Sequence, residues 1–365
     1  MKKYKIIISG GGTGGHLFPA LSVANEIKHR FPDADILFIG AEDRMEMERV
    51  PAAGFQVIGL PVSGFNRKNP LKNFRVIARL VKSLRLARKI IRDFKPDIAI
   101  GVGGYASGPT LWMASSLHVP VLIQEQNSYA GMTNKILGKR ASKICVAYPG
   151  MDAYFPEDRI VVTGNPVRKE LETIRVKNEE AFHYFGLKTD KPVLLVLGGS
   201  LGARTINRSV QKGLATLLET GIQVIWQTGR TYSGPTFSDE NLSSLYISDF
   251  ISRMDYAYSI ADLVVSRAGA GTISELCLLQ KPAILVPSPN VAEDHQTKNA
   301  LALSDVQAAI FISDEKAEQQ LTQVALASIG NSTLLHELSV RIAGFAQHNS
   351  AERIVDEVIQ LIDNK

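Results

Sequence analysis

Lys5-Ile6-Ile7-Ile8-Ser9-Gly10-Gly11-Gly12-Thr13-Gly14-Gly15-His16-Leu17-Phe18-Pro19 sets a short apolar run against five glycines in six positions. A buried strand that breaks into glycines and restarts as a helix makes room for phosphate or sugar in α/β proteins. The missing Cβ atoms let backbone approach a ligand, and the N–H groups and positive dipole end of the next helix face an anion. Gly10, Gly12 and Gly15 also satisfy the Gly-x-Gly-x-x-Gly pattern of dinucleotide sites. That reading needs a carboxylate about 20 residues on. The nearest, Glu42, comes 27 residues after Gly15 and fits poorly.

The same pattern recurs along the chain. Apolar runs 5–9, 36–40, 98–102, 119–123 and 143–147 alternate with helical segments in the first half, and runs 192–197, 223–227, 261–266, 282–287 and 309–312 do so in the second. Short β-branched runs between helices imply parallel sheets covered on both faces. Each half opens on a strand that ends in glycines, at Gly10–Gly15 and Gly198–Ala203. With 365 residues, 45% hydrophobic and 21% charged, the chain is expected to form two doubly wound Rossmann-like α/β domains. The hinge is expected near Thr163-Gly164-Asn165-Pro166, with ligands in a cleft between the domains, beyond the carboxyl ends of the strands.

Charge divides the halves. Residues 1–165 hold 23 Lys and Arg against 13 Asp and Glu, and residues 166–365 hold 18 against 23. Residues 67–95 contain eleven basic residues and one acidic residue, Asp93. There Lys72, Arg75, Arg79, Lys82, Arg85, Lys89 and Arg92 recur at helical spacing beside Phe74, Ile77, Val81, Leu84 and Ile91. Basic amphipathic helices sit at anionic membrane surfaces. Phe74, Arg75, Arg79, Val81 and Lys82, with Trp112, are therefore expected to face a membrane. No aromatic platforms interleave with the charges, so nucleic acid is not the expected partner. No run is long enough to span a bilayer, and no secretory signal opens the chain. The isolated Cys145 and Cys277 read as reduced core residues of a cytoplasmic protein.

Arg267-Ala268-Gly269-Ala270-Gly271-Thr272-Ile273-Ser274-Glu275 follows a strand with small residues and hydroxyls at a helix start, which suits an anion. Glu275 lies one turn in, where a carboxylate fits the hydroxyls of a ribose better than phosphate; a capping box is the plainer alternative. His16, at a helix N-terminus, is either a packed residue or a neutral imidazole able to accept a proton. Glu125 follows an apolar strand, as a desolvated general base or as a structural acceptor for loop N–H groups. Asp33-Ala34-Asp35 lies at the amino end of a strand and reads as a solvated turn, so no metal is expected.

Gly10–His16, Gly103-Gly104-Tyr105, Glu125-Gln126-Asn127, Thr163–Arg168, Gly198–Ala203, Arg267–Glu275 and Asp294-His295-Gln296 with Asn299-Ala300, in this order, closely resemble the MurG family. These bacterial enzymes add N-acetylglucosamine to the undecaprenyl-diphosphate-linked muramoyl-pentapeptide, lipid I, to make lipid II. The resemblance covers nearly the whole chain. It implies the GT-B fold and inverting β-1,4 transfer from UDP-N-acetylglucosamine, without a cofactor or a metal at the donor diphosphate. It implies donor contacts at Thr13, Gly14, Gly15, Asn127, Arg168, Ser200, Ile251, Ala270, Gly271, Thr272, Ile273, Ser274, Glu275 and Gln296. With the residue reading above, His16 and Glu125 become the catalytic candidates, and Gly11, Gly12, Gly104 and Tyr105 the site for the acceptor's diphosphate. The family's C-terminal helix returns to the first domain, so the expected domains are 1–164 with about 347–365, and 165–346. The expected location is the cytoplasmic face of the bacterial plasma membrane, as a peripheral protein. A glycolipid-making GT-B transferase is the nearest alternative. A UDP-N-acetylglucosamine epimerase would leave the basic stretch unused, and a nicotinamide oxidoreductase would leave Arg267–Glu275 idle.

Overall fold

The computed structural model describes residues 3–64, 73–167, 177–199, 202–232, 244–291 and 294–364, with Leu171, Ile174 and Gly234 between them; at 73 and 74 it describes the backbone alone. The chain divides into two compact units, Met1–Arg168 with Asn349–Lys365, and Lys169–His348.

The first unit is built on a seven-stranded sheet of β1 (Lys5–Ser9), β2 (Asp35–Ala41), β3 (Gln56–Leu60), β4 (Ile98–Gly101), β5 (Val121–Glu125), β6 (Lys143–Val146) and β7 (Ile160–Val162), in the order β3-β2-β1-β4-β5-β6-β7. All pairs are parallel, with Ile7 opposite Leu37 and Ile8 opposite Ile100. A parallel sheet buried on both faces needs apolar residues at every position, and β1 supplies them alternately. Ile6 and Ile8 pack with Leu17, Val23 and Ile27 of α1 (Gly14–Arg30), while Ile7 packs on the other face with Ala87, Ile90 and Leu111. Ala87 and Ile90 belong to α3 (Asn73–Phe94), and Leu111 to α4 (Ser107–Ser116). α2 (Glu46–Ala52) and α5 (Met132–Gly138) complete the helices between strands. The strand order reverses between β1 and β4, and open α/β sheets bind ligands beyond the carboxyl ends of the strands at such a reversal.

The second unit has a six-stranded parallel sheet of β8 (Val193–Leu197), β9 (Gln223–Gln227), β10 (Leu245–Ser248), β11 (Leu263–Ser266), β12 (Ala283–Leu285) and β13 (Ile310–Phe311), ordered β10-β9-β8-β11-β12-β13. Leu194 and Val196 face Ile206, Val210 and Leu214, and Leu195 faces Ile260, Ile273 and Leu276. Its helices are α6 (Glu179–Phe185), α7 (Arg204–Glu219), α8 (Met254–Ile260), α9 (Ala270–Leu278), α10 (His295–Ser304), α11 (Asp314–Ile329) and α12 (Ser332–Ala343).

The final helix, α13 (Ser350–Asp363), packs against α1 of the first unit. Ile354, Val355, Val358 and Ile362 form one face and join the core of Ile6, Ile8, Leu17 and Val23. Full burial of each such side chain contributes roughly 1.5–3 kcal/mol. Three strands lie outside the apolar runs of the sequence: β3, β7 and β10. β3 and β7 are half-exposed at the two edges of the first sheet, and β10 is at an edge of the second. An edge strand is covered less completely, so its sequence need not be continuously apolar. β5 also runs two residues further than its apolar stretch, through Gln124 and Glu125, which pair with Cys145 and Val146.

Candidate functional site

In the first unit the loops after β1 and β4 press together at the strand reversal. Gly11, Gly103 and Gly104 all have positive φ. A Cβ on Gly104 would strike the Gly11 carbonyl oxygen, and one on Gly11 would strike the carboxyl of Glu46. Glu46, buried at the start of α2, accepts from Gly12 N at 2.9 Å and from Ala41 N at 2.9 Å. Gly12 therefore spends its amide inward on Glu46. It offers a ligand open space, since nothing lies within 4 Å of a Cβ built there. Thr13 is the N-cap of α1 with no side-chain capping bond, and its carbonyl accepts from His16 N at 3.2 Å. Gly14 and Gly15 form the first turn of the helix, where amides lack intrahelical partners. Tyr105 stands 57% exposed beside this loop pair.

The His16 ring lies against the bare face of Gly103: a Cβ there would sit 2.8 Å from the ring's Cε1 and Nδ1. Its Nδ1 is 3.1 Å from Oε1 of the buried Gln126. Glu125, 2% exposed, has both oxygens engaged. Oε1 accepts from Asn127 N and Nδ2, each at 3.1 Å, and Oε2 from Gly131 N at 3.0 Å and Asn134 Nδ2 at 2.9 Å. Of the two readings of Glu125, this geometry matches the structural acceptor: its lone pairs organise residues 125–134. Asn127 is oriented by the same carboxylate.

In the second unit, Gly269 caps α9 and Ala270, Gly271 and Thr272 form its first turn. Neither Gly269 nor Gly271 has positive φ, and a Cβ on either would meet nothing within 4 Å. The protein itself does not require glycine at these positions. Glu275 is one turn further on, half-buried, and its Oε2 accepts from the hydroxyl of the fully buried Tyr258 at 2.9 Å. Ser274 Oγ donates back to Ala270 O at 3.0 Å. The side chains of Ile273 and Ile251 are core, so only their backbones face outward chemistry; Ile251 N already donates to Gln227 Oε1 at 3.0 Å. Gln296 Oε1 accepts from Ser288 N at 2.8 Å. Arg267 is structural: it pairs with Asp314 at 2.5 Å and donates to the carbonyls of Val286 and Pro287. Arg168 and Ser200 lie outside the described residues.

The basic stretch forms α3, and its apolar residues divide between two faces. Val76, Ala87, Ile90 and Ile91 are buried, whereas Ile77 and Val81 are 50% and 41% exposed, among exposed Arg75, Arg79, Lys82 and Arg85. The side chain of Phe74 lies outside the described residues. Trp112 packs partly buried against the core, and the Arg140 guanidinium lies over its ring at 3.8 Å, a cation–π contact. Burial pushes the Cys145 and Cys277 thiols up to about 12, so both stay protonated and unreactive. Among the described residues, no group of three or more His, Cys, Asp or Glu could hold a metal, and no helix is long and apolar enough to cross a membrane.

The roles of Glu46 and Tyr258 rest on contacts with Gly12 and Glu275, distant in sequence, and no local pattern marks them. For Gln124 and Gln126 a signal existed: residues two apart in extended chain share a face.

Residues 6–146 match the glycosyltransferase family 28 N-terminal domain and residues 193–354 the glycosyltransferase family 28 C-terminal domain. The chain is 63% identical over 372 residues to the UDP-N-acetylglucosamine--N-acetylmuramyl-(pentapeptide) pyrophosphoryl-undecaprenol N-acetylglucosamine transferase of Parabacteroides distasonis, covering 100% of both chains. It is 58% identical to the protein of that name from Phocaeicola vulgatus, over 98% of this chain and 96% of that one. The crystal structure of Acinetobacter baumannii MurG aligns at a TM-score of 0.75 and 28% identity, over 98% of this chain and 100% of that one. A UDP-N-acetylglucosamine 2-epimerase aligns at 0.66 with 14% identity over 100% of this chain and 98% of that one, a likeness of fold alone.

Proposed function

The chain belongs to glycosyltransferase family 28, and we infer that it is an inverting GT-B transferase moving N-acetylglucosamine from UDP-N-acetylglucosamine to the muramoyl 4-hydroxyl of lipid I, forming lipid II. The observation that carries this reading is 63% identity across the full length of a transferase named for that reaction.

The geometry of each unit supports a division of labour. In the second unit, the open glycines of α9 leave room for a nucleotide backbone at a helix N-terminus, and Glu275, held by Tyr258, accepts the two ribose hydroxyls. Amides and hydroxyls stabilise the departing diphosphate in place of a metal. In the first unit, the glycine loops at the carboxyl ends of β1 and β4 take the acceptor, and His16 accepts the proton of its hydroxyl. The full coordination of Glu125 favours His16 over Glu125 for that step. On α3, Ile77 and Val81 amid exposed Arg and Lys fit an anionic lipid surface. That contact would keep the enzyme at the cytoplasmic face of the membrane, where its lipid-linked acceptor lies.

Radiolabelled UDP-sugars offered with and without a lipid I analogue test the reaction. The expected result is transfer of N-acetylglucosamine that requires the acceptor; consumption of UDP-N-acetylglucosamine without acceptor, by epimerisation, would overturn it. For the membrane, co-sedimentation with anionic vesicles should weaken with salt and fall when Arg75, Arg79 and Lys82 become Ser. Equal binding by parent and variant at every salt concentration would remove α3 from the docking surface.

A further inference from the structure

We infer that Gln126 is a positioning residue that fixes the tautomer of His16, with the proton on Nδ1 and the lone pair on Nε2, and that Asn165 and Gln124 lock Gln126 in the orientation this needs. The inference deepens the reading of His16 as proton acceptor and rests on it for its catalytic consequence.

Two backbone carbonyls, which can only accept hydrogen bonds, anchor the amide chain. Asn165 Nδ2 donates to Gln126 O at 2.9 Å, so Asn165 Oδ1 is the atom turned to Gln124, and it accepts from Gln124 Nε2 at 2.9 Å. Gln124 Oε1 in turn faces Gln126 and accepts from Gln126 Nε2, which also donates to Val102 O at 2.7 Å. Both anchors leave Gln126 Oε1 as the atom 3.1 Å from His16 Nδ1. An amide oxygen has no proton to give, so Nδ1–H must donate. In a neutral imidazole this leaves Nε2 as the basic nitrogen.

Reversing any one amide would set oxygen against oxygen or N–H against N–H somewhere along the chain. Gln124, Gln126 and Asn165 are all at most 2% exposed, so water cannot readily relieve such a clash, and an unmatched buried polar group costs about 1–3 kcal/mol. The orientation of four side chains is therefore decided together. The bare Gly103 fixes the position of the ring, and the amide chain fixes its proton. Histidine free in water favours the opposite tautomer, with Nε2 protonated, so the site selects against the intrinsic preference. Asn165, 39 positions from Gln126 in sequence, thereby reaches the reacting imidazole without touching it.

The test compares full-length parent, Gln126→Met and Gln126→Glu. Met keeps the shape without an acceptor, and Glu, protonated on the oxygen that replaces Nε2 so that it still donates toward Val102 O, keeps an acceptor opposite Nδ1–H. The His16 tautomer is read from ring 15N shifts in histidine-labelled protein, assigned by the signal lost in His16→Ala. The parent should show Nδ1–H, Gln126→Met should move toward Nε2–H, and Gln126→Glu should return to Nδ1–H. Turnover on a lipid I analogue should fall at least about tenfold in Gln126→Met, within the range set by losing a general base, and largely recover in Gln126→Glu. KM for UDP-N-acetylglucosamine and UDP binding should stay near the parent's in both, which reports an intact fold. An unaltered tautomer in Gln126→Met overturns the inference while leaving the transferase reading intact. A changed tautomer with unchanged turnover overturns the positioning role. A parent that transfers no sugar to the lipid I analogue overturns the transferase reading and leaves the tautomer result to stand alone.

Discussion

Both units place a glycine-rich turn between a central strand and a helix, and in sequence the two turns look alike. Their glycines answer to different neighbours. After β1 and β4, Gly11 is pressed against Glu46, Gly104 against the backbone of Gly11, and Gly103 against the His16 ring, all with positive φ. After β11, Gly269 and Gly271 have ordinary φ and open space where a side chain would go. The first set is demanded by the protein's own packing and the second by something the protein leaves room for. Glycine content marks close approach in both cases, and only the tertiary contacts tell whether backbone, side chain or ligand does the approaching.

Alanine substitution separates the two cases most sharply. Gly104→Ala combines a left-handed backbone with a collision against a main-chain oxygen that cannot swing away. It is expected to cost about 3 kcal/mol or more, which for a unit of this size lowers Tm by roughly 6–12 °C. A variant that melts with the parent would break the contrast. Glu275→Ala takes an acceptor from the buried Tyr258 hydroxyl, at a cost of about 1–3 kcal/mol in stability, and should also raise the KM for UDP-N-acetylglucosamine. Losing a charged hydrogen-bond partner is worth about 1.5–3 kcal/mol, or roughly 10–150-fold. An unchanged donor KM would remove Glu275 from the nucleotide site. Gly271→Ala should move the two readouts in opposite directions. Alanine in the first turn of α9 stabilises the helix by up to about 1 kcal/mol, while its methyl occupies the ligand's space and raises donor KM by about tenfold, near 1.4 kcal/mol. If stability falls and KM holds, Gly271 belongs with the packing glycines.

The most gradual effect, spread over a span of pH, concerns a charge in the second unit remote from its loop. Lys281 donates to Ala261 O, and burial lowers its pKa from 10.5 to about 8. Below about pH 8 folded and unfolded chains both carry the charge, and the folded state bears the full burial penalty. Between about 8 and 10.5 the unfolded chain still holds a proton that the folded chain has released, so stability rises with pH. The gain should be roughly 1–3 kcal/mol at most. Denaturant titrations across that window should show it in the parent and not in Lys281→Met; identical profiles would show that Lys281 keeps its ordinary affinity for protons.

Much of this molecule was legible in its sequence because the relevant physics is local. The run Lys5–Ser9 had to be a doubly covered strand, since nothing else buries three consecutive isoleucines beside glycines, and repeating that unit dictated two parallel-sheet halves. The order of motifs was enough to point to the family. The edge strands β3, β7 and β10 were less legible because their half-exposed residues need not form an apolar run. The face of α3 that meets solvent was equally hidden: Ile77 and Ile91 sit on one apolar stripe by periodicity, yet one is half-exposed and the other is core. The apolar face of α13 was readable too; periodicity left its partner open, since any core accepts such a face, and only the family resemblance pointed to the first domain, where it packs on α1. The same holds within the site. His16 and Glu125 both followed strand ends and looked alike as proton acceptors, until the fold filled every acceptor position of one and turned a single amide oxygen toward the other. Local sequence determines which backbone a segment adopts and which faces are apolar, because those depend on neighbours a few residues away. Which hydrogen bonds a polar side chain makes depends on groups brought from elsewhere in the chain, and only the tertiary structure supplies them.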